Sequence, residues 1–343
     1  MPRETRIARG DGRATRGRGR AETRPLRAAW RTSGGLLVLV LWTAGCALFS
    51  SAPAERHVYR RVMLGGEARI VIEARDERDA REAAAAAFDR IAELDAILSD
   101  YRVDSEVTKL AEHAGGEARP ASEDLLIVLE AAIDLARRTG GAFDPTIGPV
   151  SRLWRDAIRG GLVPPLEADL DAARTRVDWR SLEIDTRRKT ARLAKPGMML
   201  DLGGIAKGYA ADEALEVLRS RGYASALVDL SGDIVAGEAP EGRPGWRIEV
   251  ESYGVAIFLV NEAVATSGGT YQYLETDAGS GYSHIVDPAT GMGLTERGSV
   301  TVVARTCMQA DGLASAVSVL GHDRGKAIVE SVPGARLLPI VRQ

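Results

Sequence analysis

The stretch Asp201-Leu202-Gly203-Gly204-Ile205-Ala206-Lys207-Gly208-Tyr209 joins two different patterns. An apolar run that starts at Met199 enters this stretch, and a helical pattern leaves it and continues to Gly222. We predict a strand that gives way to a helix across the two glycines. The start of such a helix presents unpaired N–H groups, and Lys207 adds positive charge, so the junction suits a phosphate group. The spacing is not that of a Walker A loop, and a tight structural turn explains the glycines equally well.

Outward from this junction, the chain alternates between strand and helix patterns. Strands are predicted in Val58–Glu73, which holds two, and around Leu182–Ile184, Ala191–Leu193, Ser225–Leu230, Trp246–Glu251 and Ser299–Ala304. Helices are predicted at Asp76–Ser99, Ser122–Gly140 and Met308–Leu320. Loops are predicted at Gly160–Pro165 and Val264–Gly269. This order of elements predicts an α+β, or mixed α/β, fold.

The charge of the chain is unevenly distributed. The 343 residues carry a formal net charge of −3, and 45% of them are hydrophobic, which is typical of a soluble globular protein. Residues 1–32 hold ten arginines against three acidic residues, a balance of +7, so the rest of the chain sums to −10. An acidic body argues against nucleic-acid binding through phosphate neutralisation. A nucleic-acid-binding arm is the alternative explanation for the basic segment.

The residues after the arginines follow the order of a bacterial secretion signal. The apolar run Leu36–Trp42 is followed by Ala44-Gly45-Cys46, which resembles a lipobox. The run is too short to span a bilayer, and a buried core helix is the alternative. A lipid on Cys46 would leave Cys307 without an intrachain partner, so no disulfide framework is predicted. The predicted parts are a signal peptide of lipoprotein type at 1–45, a tether at 46–57 and the functional domain at 58–343.

Three polar segments carry candidate chemistry. Asp311 and Ser315 are four residues apart on a predicted helix, so their oxygens share one face and suit a hard cation such as Mg²⁺. An acidic residue early in a helix also simply favours the helix dipole. His284 precedes a turn at Asp287–Gly291 and is a candidate for phosphate contact or proton transfer, with turn stabilisation as the alternative. The segment Gly141–Pro149 places a carboxylate, a hydroxyl and an aromatic ring on irregular backbone.

Together, these segments resemble the ApbE-type FAD:protein FMN transferases. The resemblance covers about Val62 to Gly321 and rests on motifs in the family's order: Ser99-Asp100-Tyr101, Ser105-Glu106, Gly141–Pro149, Leu153-Trp154, Asp201–Tyr209 with Asp212, Leu230–Ile234, Ala265–Gly268, His284–Gly291 and Ser299–Gly321. It implies a T-fold-like scaffold with sheets packed against helices. Two departures are Ser231, where the family usually has glycine, and Ser315, where it commonly has threonine. Serine keeps the hydroxyl oxygen of threonine.

The resemblance also implies roles for individual residues. It implies that the FAD site is lined by Met63, Tyr101, Ala142, Phe143, Asp144, Asp201, Lys207 and Ile285. It implies that Mg²⁺ is held by the Gly204 carbonyl, Asp311 and Ser315, with the Ala314 carbonyl as a further donor. His284 is predicted to be the catalytic acid/base or phosphate-binding group.

The implied reaction is a Mg²⁺-dependent transfer of FMN from FAD to a threonine or serine hydroxyl of a partner protein, with release of AMP. The acceptor would be a periplasmic or membrane redox protein. The enzyme would be held at the periplasmic side of the bacterial inner membrane by its lipid anchor only, with no nucleic-acid partner. Two alternatives stay open. They are hydrolysis of FAD to FMN and AMP, and a non-catalytic flavin-binding lipoprotein that serves redox assembly.

Overall fold

A computed structural model describes residues 54–160, 163–250, 254–268, 273–275, 281–295, 298–339 and 341–342. The predicted signal peptide at 1–45 and Cys46 lie outside these described residues. Within the described ranges, no helix combines the length and the apolar character needed to cross a membrane. The first strand begins at Glu55, inside the predicted tether, because Glu55 pairs with Ala74 at the end of a hairpin. The folded domain therefore starts before the predicted boundary at residue 58.

The described residues form eight α-helices, one short 3-10 helix and fifteen strands. The helices are α1 (Glu77–Leu98), α2 (Glu106–Glu112), α3 (Glu123–Thr139), α4 (Gly148–Gly160), α5 (Glu167–Arg174), α6 (Ala206–Ser220), α7 (Cys307–Leu320) and α8 (His322–Glu330), with the 3-10 helix at Trp179–Ser181. The strands are β1 (Glu55–Met63), β2 (Gly66–Ala74), β3 (Arg119–Pro120), β4 (Leu182–Asp185), β5 (Thr190–Leu193), β6 (Ala226–Leu230), β7 (Asp233–Ala236), β8 (Trp246–Val250), β9 (Val255–Leu259), β10 (Glu262–Gly268), β11 (Tyr273–Glu275), β12 (Gly281–Ser283), β13 (Gly298–Ala304), β14 (Arg336–Leu337) and β15 (Val341–Arg342).

An eight-stranded antiparallel sheet organises this part of the chain. Its strand order is β1-β2-β6-β7-β10-β13-β14, and β15 also pairs with β13. Alternate residues of each strand face opposite sides, so Ile70 and Ile72 pack with the helices α1, α6 and α7. Val71, between them, packs on the other side with Trp246 of the β8–β9 hairpin. Helices on one face and a hairpin on the other confirm the α+β prediction.

The two helices predicted at Asp76–Ser99 and Ser122–Gly140 form as α1 and α3. The Asp76 carboxylate accepts hydrogen bonds from the N–H groups of residues 78 and 79 at the start of α1. The Ser122 hydroxyl accepts one from Leu125 at the start of α3. Helix α3 ends at Gly140, whose φ of 64° is the left-handed conformation that glycine adopts without strain. The predictions of both helices are confirmed.

The prediction of a strand before the glycine junction is wrong. Alternate side chains of the run 198–202 are buried, as in a strand, but Met199 forms only an isolated bridge with Ile147. The neighbouring segment 144–149 contains two prolines, which cannot donate to a ladder. The Pro145 carbonyl instead accepts a hydrogen bond from the Asp201 N–H (2.9 Å). This contact places the irregular segment 141–149 beside the junction.

The prediction of a loop at Val264–Gly269 is also wrong for residues 264–268. These residues belong to β10, which lies between β7 and β13 in the central sheet, whereas Gly269 lies outside the described residues. The small side chain of Ala265 packs in one cluster with Ala310 of α7, so the helix lies close to the strand. The Thr266 and Thr301 hydroxyls form a cross-strand hydrogen bond of 2.9 Å. The small residues of β10 allow α7 to pack closely on the sheet, which explains why a segment of small and polar residues forms a strand here.

Ser231, which stands where the ApbE-type pattern usually has glycine, lies in the two-residue turn between β6 and β7. Ser231 has a φ of 57° and Gly232 a φ of 100°, as a tight hairpin turn requires. The side chain of Ser231 lies against Gly66, where a Cβ atom would collide with the serine hydroxyl. That hydroxyl donates to the Glu67 carbonyl (3.2 Å). Glycine at position 66 therefore accommodates serine at position 231.

Candidate active site

The start of helix α6 lies against helix α7. The Gly208 N–H belongs to the first turn of α6, where N–H groups have no partner within the helix, and it donates to the Asp311 carboxylate (3.1 Å). No described residue donates a hydrogen bond to the Gly204 carbonyl. The predicted junction therefore has a carbonyl oxygen at Gly204 that no described residue binds, and its first-turn N–H group at Gly208 binds the buried carboxylate of Asp311.

Gly204 also lies in contact with two other predicted site residues. A Cβ atom at Gly204 would be 2.7 Å from the Ser315 hydroxyl oxygen and 3.4 Å from Cε2 of Phe143. The Ser315 hydroxyl, one turn after Asp311 on α7, forms no hydrogen bond with another described residue. Ser315 therefore lies against Gly204, and Asp311 lies one helical turn before Ser315 and contacts Gly208. Carboxylate, hydroxyl and carbonyl oxygens are donors that fit a hard divalent cation.

The fourth predicted metal donor, the Ala314 carbonyl, differs from the other three. It lies inside α7 and already accepts a hydrogen bond from the Ser318 hydroxyl (3.0 Å). The described ranges contain no group of three or more His, Cys, Asp or Glu side chains placed to hold a metal ion. A cation at Gly204 would therefore depend on neutral oxygens in addition to Asp311.

Charged residues lie close to Asp311. The Lys207 ammonium forms an ion pair with the buried carboxylate of Asp233, so Lys207 is paired within the protein. Burial alone would lower the pKa of Lys207, but the charges of Asp233 and Asp311 outweigh burial and raise it. Burial and the Asp233 charge raise the pKa of Asp311 to about 7. When Asp311 is ionised, two carboxylates lie near one ammonium group, and a bound cation would balance the remaining negative charge.

Helices α6 and α7 cap each other's first turns. Asp212 of α6 accepts hydrogen bonds from the N–H groups of Cys307 (2.8 Å) and Met308 (2.9 Å) at the start of α7. Asp311 of α7 accepts the Gly208 N–H in return. A Cβ atom at Gly208 would collide with the backbone of Cys307, so the helices approach closely there. The motif that contains Asp212 was visible in the sequence, but its capping role was not.

The segment 141–149 forms the next wall of the site. Asp144 accepts hydrogen bonds from the N–H (2.8 Å) and hydroxyl (2.6 Å) of Thr146 and from the Trp179 N–H (3.2 Å). Burial outweighs these bonds and raises the pKa of Asp144. Ala142 is partly buried, and the ring of Phe143, which is 8% exposed, lies against Gly204. In this structure Asp144 therefore fixes the shape of the wall that Phe143 presents to the junction.

A second polar cluster connects Tyr101 to the junction. The Arg155 guanidinium donates to the Asp100 carboxylate (2.5 Å) and lies 3.9 Å from the Asp201 carboxylate. Its Cζ atom also lies 4.5 Å from the centroid of the Tyr101 ring. The other carboxylate oxygen of Asp201 accepts the Gly203 N–H (2.9 Å). Sequence reasoning missed Arg155, because an arginine in an amphipathic helix carries no local signal of its partners.

Comparison with known proteins identifies the relatives of this chain. The sequence profile described as "ApbE family" matches residues 64–338. This chain belongs to the ApbE family. The FAD:protein FMN transferase of Vibrio cholerae is 38% identical over 247 residues, which cover 68% of this chain and 72% of the relative. The FAD:protein FMN transferase of Treponema pallidum is 31% identical over 331 residues, which cover 90% of each chain. The crystal structure of the ApbE protein from Thermotoga maritima has a TM-score of 0.75 at 31% identity, covering 84% of this chain and 97% of that chain.

The remaining predicted residues of this ApbE-family protein lie on two other segments. His284 is partly buried directly after β12, and the turn that follows it is held by a hydrogen bond from Trp154 Nε1 to the Gly291 carbonyl (2.8 Å). The Ile285 N–H donates to the Ser283 hydroxyl (3.1 Å), so its backbone N–H is already committed. Met63 ends β1 and packs against the helix-side core. The Trp154 anchor therefore joins the His284 segment to α4, the helix that carries Arg155.

We expect Asp212→Asn to change how stability depends on pH. Burial raises the pKa of Asp212 to about 6, although the hydrogen bonds from the Cys307 and Met308 N–H groups lower it. A carboxyl group whose pKa is higher in the folded than in the unfolded chain favours folding while protonated, and this contribution is lost as pH rises through about 6. The stability of the wild type relative to the variant should fall by about 1–3 kcal/mol from pH 4 to pH 7. Denaturant unfolding without added metal measures it, and a pH-independent difference would contradict the burial argument.

Proposed function

We propose that this protein transfers the FMN part of FAD to a hydroxyl group of a partner protein and releases AMP. The observation that carries the proposal is the approach of Asp311 to Gly208 and of Ser315 to Gly204 at the glycine junction of an ApbE-family chain. Its curated relatives are named FAD:protein FMN transferases, and the alignments span at least two thirds of this chain. The negative charge around Asp311 supports a divalent cation as the partner of the FAD diphosphate.

In the proposed reaction, the acceptor's hydroxyl oxygen bonds to the phosphorus on the FMN side of the FAD diphosphate. The bond from that phosphorus to the bridging oxygen breaks, AMP leaves with the bridging oxygen, and the hydroxyl proton passes to a base. The Gly204 carbonyl, Asp311 and Ser315 would hold Mg²⁺. When bound, Mg²⁺ supplies positive charge that stabilises the charge developing on the diphosphate.

The other residues of the site position the substrate. Phe143 lies beside Gly204 and would limit the water around the reacting phosphate. Tyr101, which is 61% exposed, offers its ring for stacking against the flavin. Lys207 is already paired with Asp233, so we propose that its charge holds Asp233 and Asp311 in place around the cation.

Incubation of the purified protein with FAD, Mg²⁺ and candidate periplasmic redox proteins tests this function. In-gel flavin fluorescence after denaturation detects FMN that is covalently bound to the acceptor, and chromatography measures released AMP and FMN. We expect flavin on the acceptor with equimolar AMP. Free FMN with AMP and no labelled acceptor would instead show hydrolysis. Unchanged FAD with every acceptor would indicate a flavin-binding protein without catalysis.

We expect His284→Ala to slow transfer more than it weakens FAD binding. The segment of His284 is fixed by the Trp154–Gly291 hydrogen bond, which suits a group that acts on the reacting phosphate. General acid/base assistance is worth about 10²–10⁴ in rate, whereas one lost hydrogen bond costs about 0.5–1.5 kcal/mol. The FAD dissociation constant and the single-turnover rate are measured on the same variant. A binding loss that explains the whole rate loss would make His284 a ligand contact only.

We also propose that the protein is exported and anchored to the periplasmic side of the inner membrane through lipid on Cys46. The basic and apolar order of the first 45 residues, which ends in Ala44-Gly45-Cys46, supports this proposal. Mass spectrometry of the N-terminus from native membranes tests it. An acylated Cys46 as the first residue is expected. An unmodified chain that begins before Leu36 would contradict export, and cleavage at another residue would remove only the anchor.

A further inference from the structure

One guanidinium group joins two parts of the candidate site that are far apart in the sequence. Arg155, on α4, contacts Asp100 and lies near Asp201, which are 55 and 46 residues distant along the chain. Its side chain is 14% exposed, and the side chains of Asp100 and Asp201 are 11% and 20% exposed. Partly buried ion pairs of this kind hold their geometry better than pairs at the open surface.

The same guanidinium supports Tyr101. Tyr101 is 61% exposed and lies on the connection between α1 and α2. The Cζ atoms of Arg155 and Arg159, one helical turn apart on α4, lie 4.5 Å and 5.4 Å from its centroid. A cation over an aromatic ring is a favourable contact. Two arginines of α4 therefore contact the Tyr101 ring, and Tyr101 stays largely exposed to solvent.

We propose that Arg155 is a positioning residue for flavin binding, which fixes the Tyr101 ring relative to the Asp201 turn at the glycine junction. The inference rests on the proposed function, in which Tyr101 stacks on the flavin and the junction holds the diphosphate. Arg155 touches neither part of FAD in this proposal and acts through Tyr101. Its contribution is preorganisation, because a ring that is already placed loses less conformational freedom when the flavin binds.

The chemistry of arginine suits this role. Its planar guanidinium can face an aromatic ring while its edge donates to carboxylates, which a lysine ammonium cannot do at once. Burial and the charge of Asp201 raise the pKa of Asp100, and the contact with Arg155 opposes this rise. Loss of the guanidinium would leave two neighbouring carboxylates without their shared cation, and the Tyr101 connection without its tie to α4.

A double-mutant cycle in the FAD dissociation constant tests the proposal. Arg155→Met, Tyr101→Ala and the double variant are compared with the wild type by flavin fluorescence, with Mg²⁺ and without an acceptor protein. We expect each single change to weaken FAD binding about tenfold, and the double variant to bind within about twofold of Tyr101→Ala alone. Arg155→Lys should recover at most part of the loss. Arg152→Met, an exposed arginine on the same helix, is the matched control and should bind FAD as the wild type does.

Two results would overturn the proposal. One is unchanged FAD binding by Arg155→Met, and the other is a double variant whose loss is the product of the two single losses. Thermal unfolding checks that each variant is folded, and Arg155→Lys replaces Arg155→Met in the cycle if the methionine variant does not fold. A wild type that binds FAD but labels no acceptor would refute the proposed transfer without touching this inference. A wild type that does not bind FAD would refute both.

Discussion

Asp311→Asn is expected to abolish covalent flavin transfer, with a loss on the order of 10³-fold or more, in a protein that still folds. Asp311 is the one carboxylate among the four predicted metal donors. Asparagine has nearly the same size and can still accept the Gly208 N–H through its carbonyl oxygen, so the α6–α7 contact should survive. The substitution removes the negative charge that would attract the proposed cation. In-gel fluorescence of the labelled acceptor, titrated with Mg²⁺, measures the effect.

Ser315→Ala is the control that separates charge from coordination in this experiment. The Ser315 hydroxyl is a neutral donor that a water molecule can replace, so a partial loss of about tenfold is expected. Far-ultraviolet circular dichroism and thermal unfolding confirm that both variants are folded. Full activity of Asp311→Asn at low millimolar Mg²⁺ would remove Asp311 from the proposed metal site, whatever Ser315→Ala shows.

Among the substitutions proposed here, Gly208→Ala is expected to cause the largest loss of stability. It should also reduce flavin transfer, because the site lies between the two helices that it separates. A Cβ atom there would lie 2.6 Å from the Cys307 carbonyl carbon and 2.7 Å from the Met308 Cα, which are backbone atoms that cannot rotate away. Helices α6 and α7 would have to separate, at a cost of about 1–3 kcal/mol or more. Alanine's better helix propensity, worth about 1 kcal/mol, offsets part of that cost. Denaturant unfolding measures the net change.

Gly312→Ala, on α7, is the matched control for this substitution. A Cβ atom at Gly312 would lie 2.8 Å from Cδ2 of Leu135, the far end of a flexible side chain that can move. The same chemical change in a neighbouring helix should therefore be nearly neutral. If both variants lose the same stability, the loss reflects glycine replacement in general and the close approach at Gly208 is not its cause.

The parts of the fold that sequence predicted are those with local signals. Caps at Asp76 and Ser122 and a left-handed glycine at Gly140 each mark a helix end within a few residues, and these ends were predicted correctly. Strand β10 was missed because its small and polar residues resemble a loop, and only the close packing of α7 explains them. The run 198–202 shows the opposite error. Its alternating burial imitates a strand, while the prolines of the neighbouring segment prevent a ladder.

The same limit applies to the candidate site. The glycine junction and the Asp311–Ser315 pair are short motifs whose spacing indicates shared geometry, and the structure brings both together at Gly204. The partners of Lys207 and Arg155 were not predictable in this way. Asp233 is 26 residues from Lys207, and Asp100 is 55 residues from Arg155. An ion pair across such a separation produces no spacing pattern that a single sequence would show.

The mutual capping of α6 and α7 has a consequence for the motions of the protein. The amide protons of Gly208, Cys307 and Met308 are all held by carboxylates of the opposite helix, so fraying at the start of either helix breaks a hydrogen bond to the other. These three amides should therefore exchange with deuterium at a common rate, in one concerted opening. A cation bound by Asp311 would slow the exchange of all three amides, including those of Cys307 and Met308, which Asp212 holds. The exchange rates of these amides would then detect cation binding even when no flavin transfer takes place.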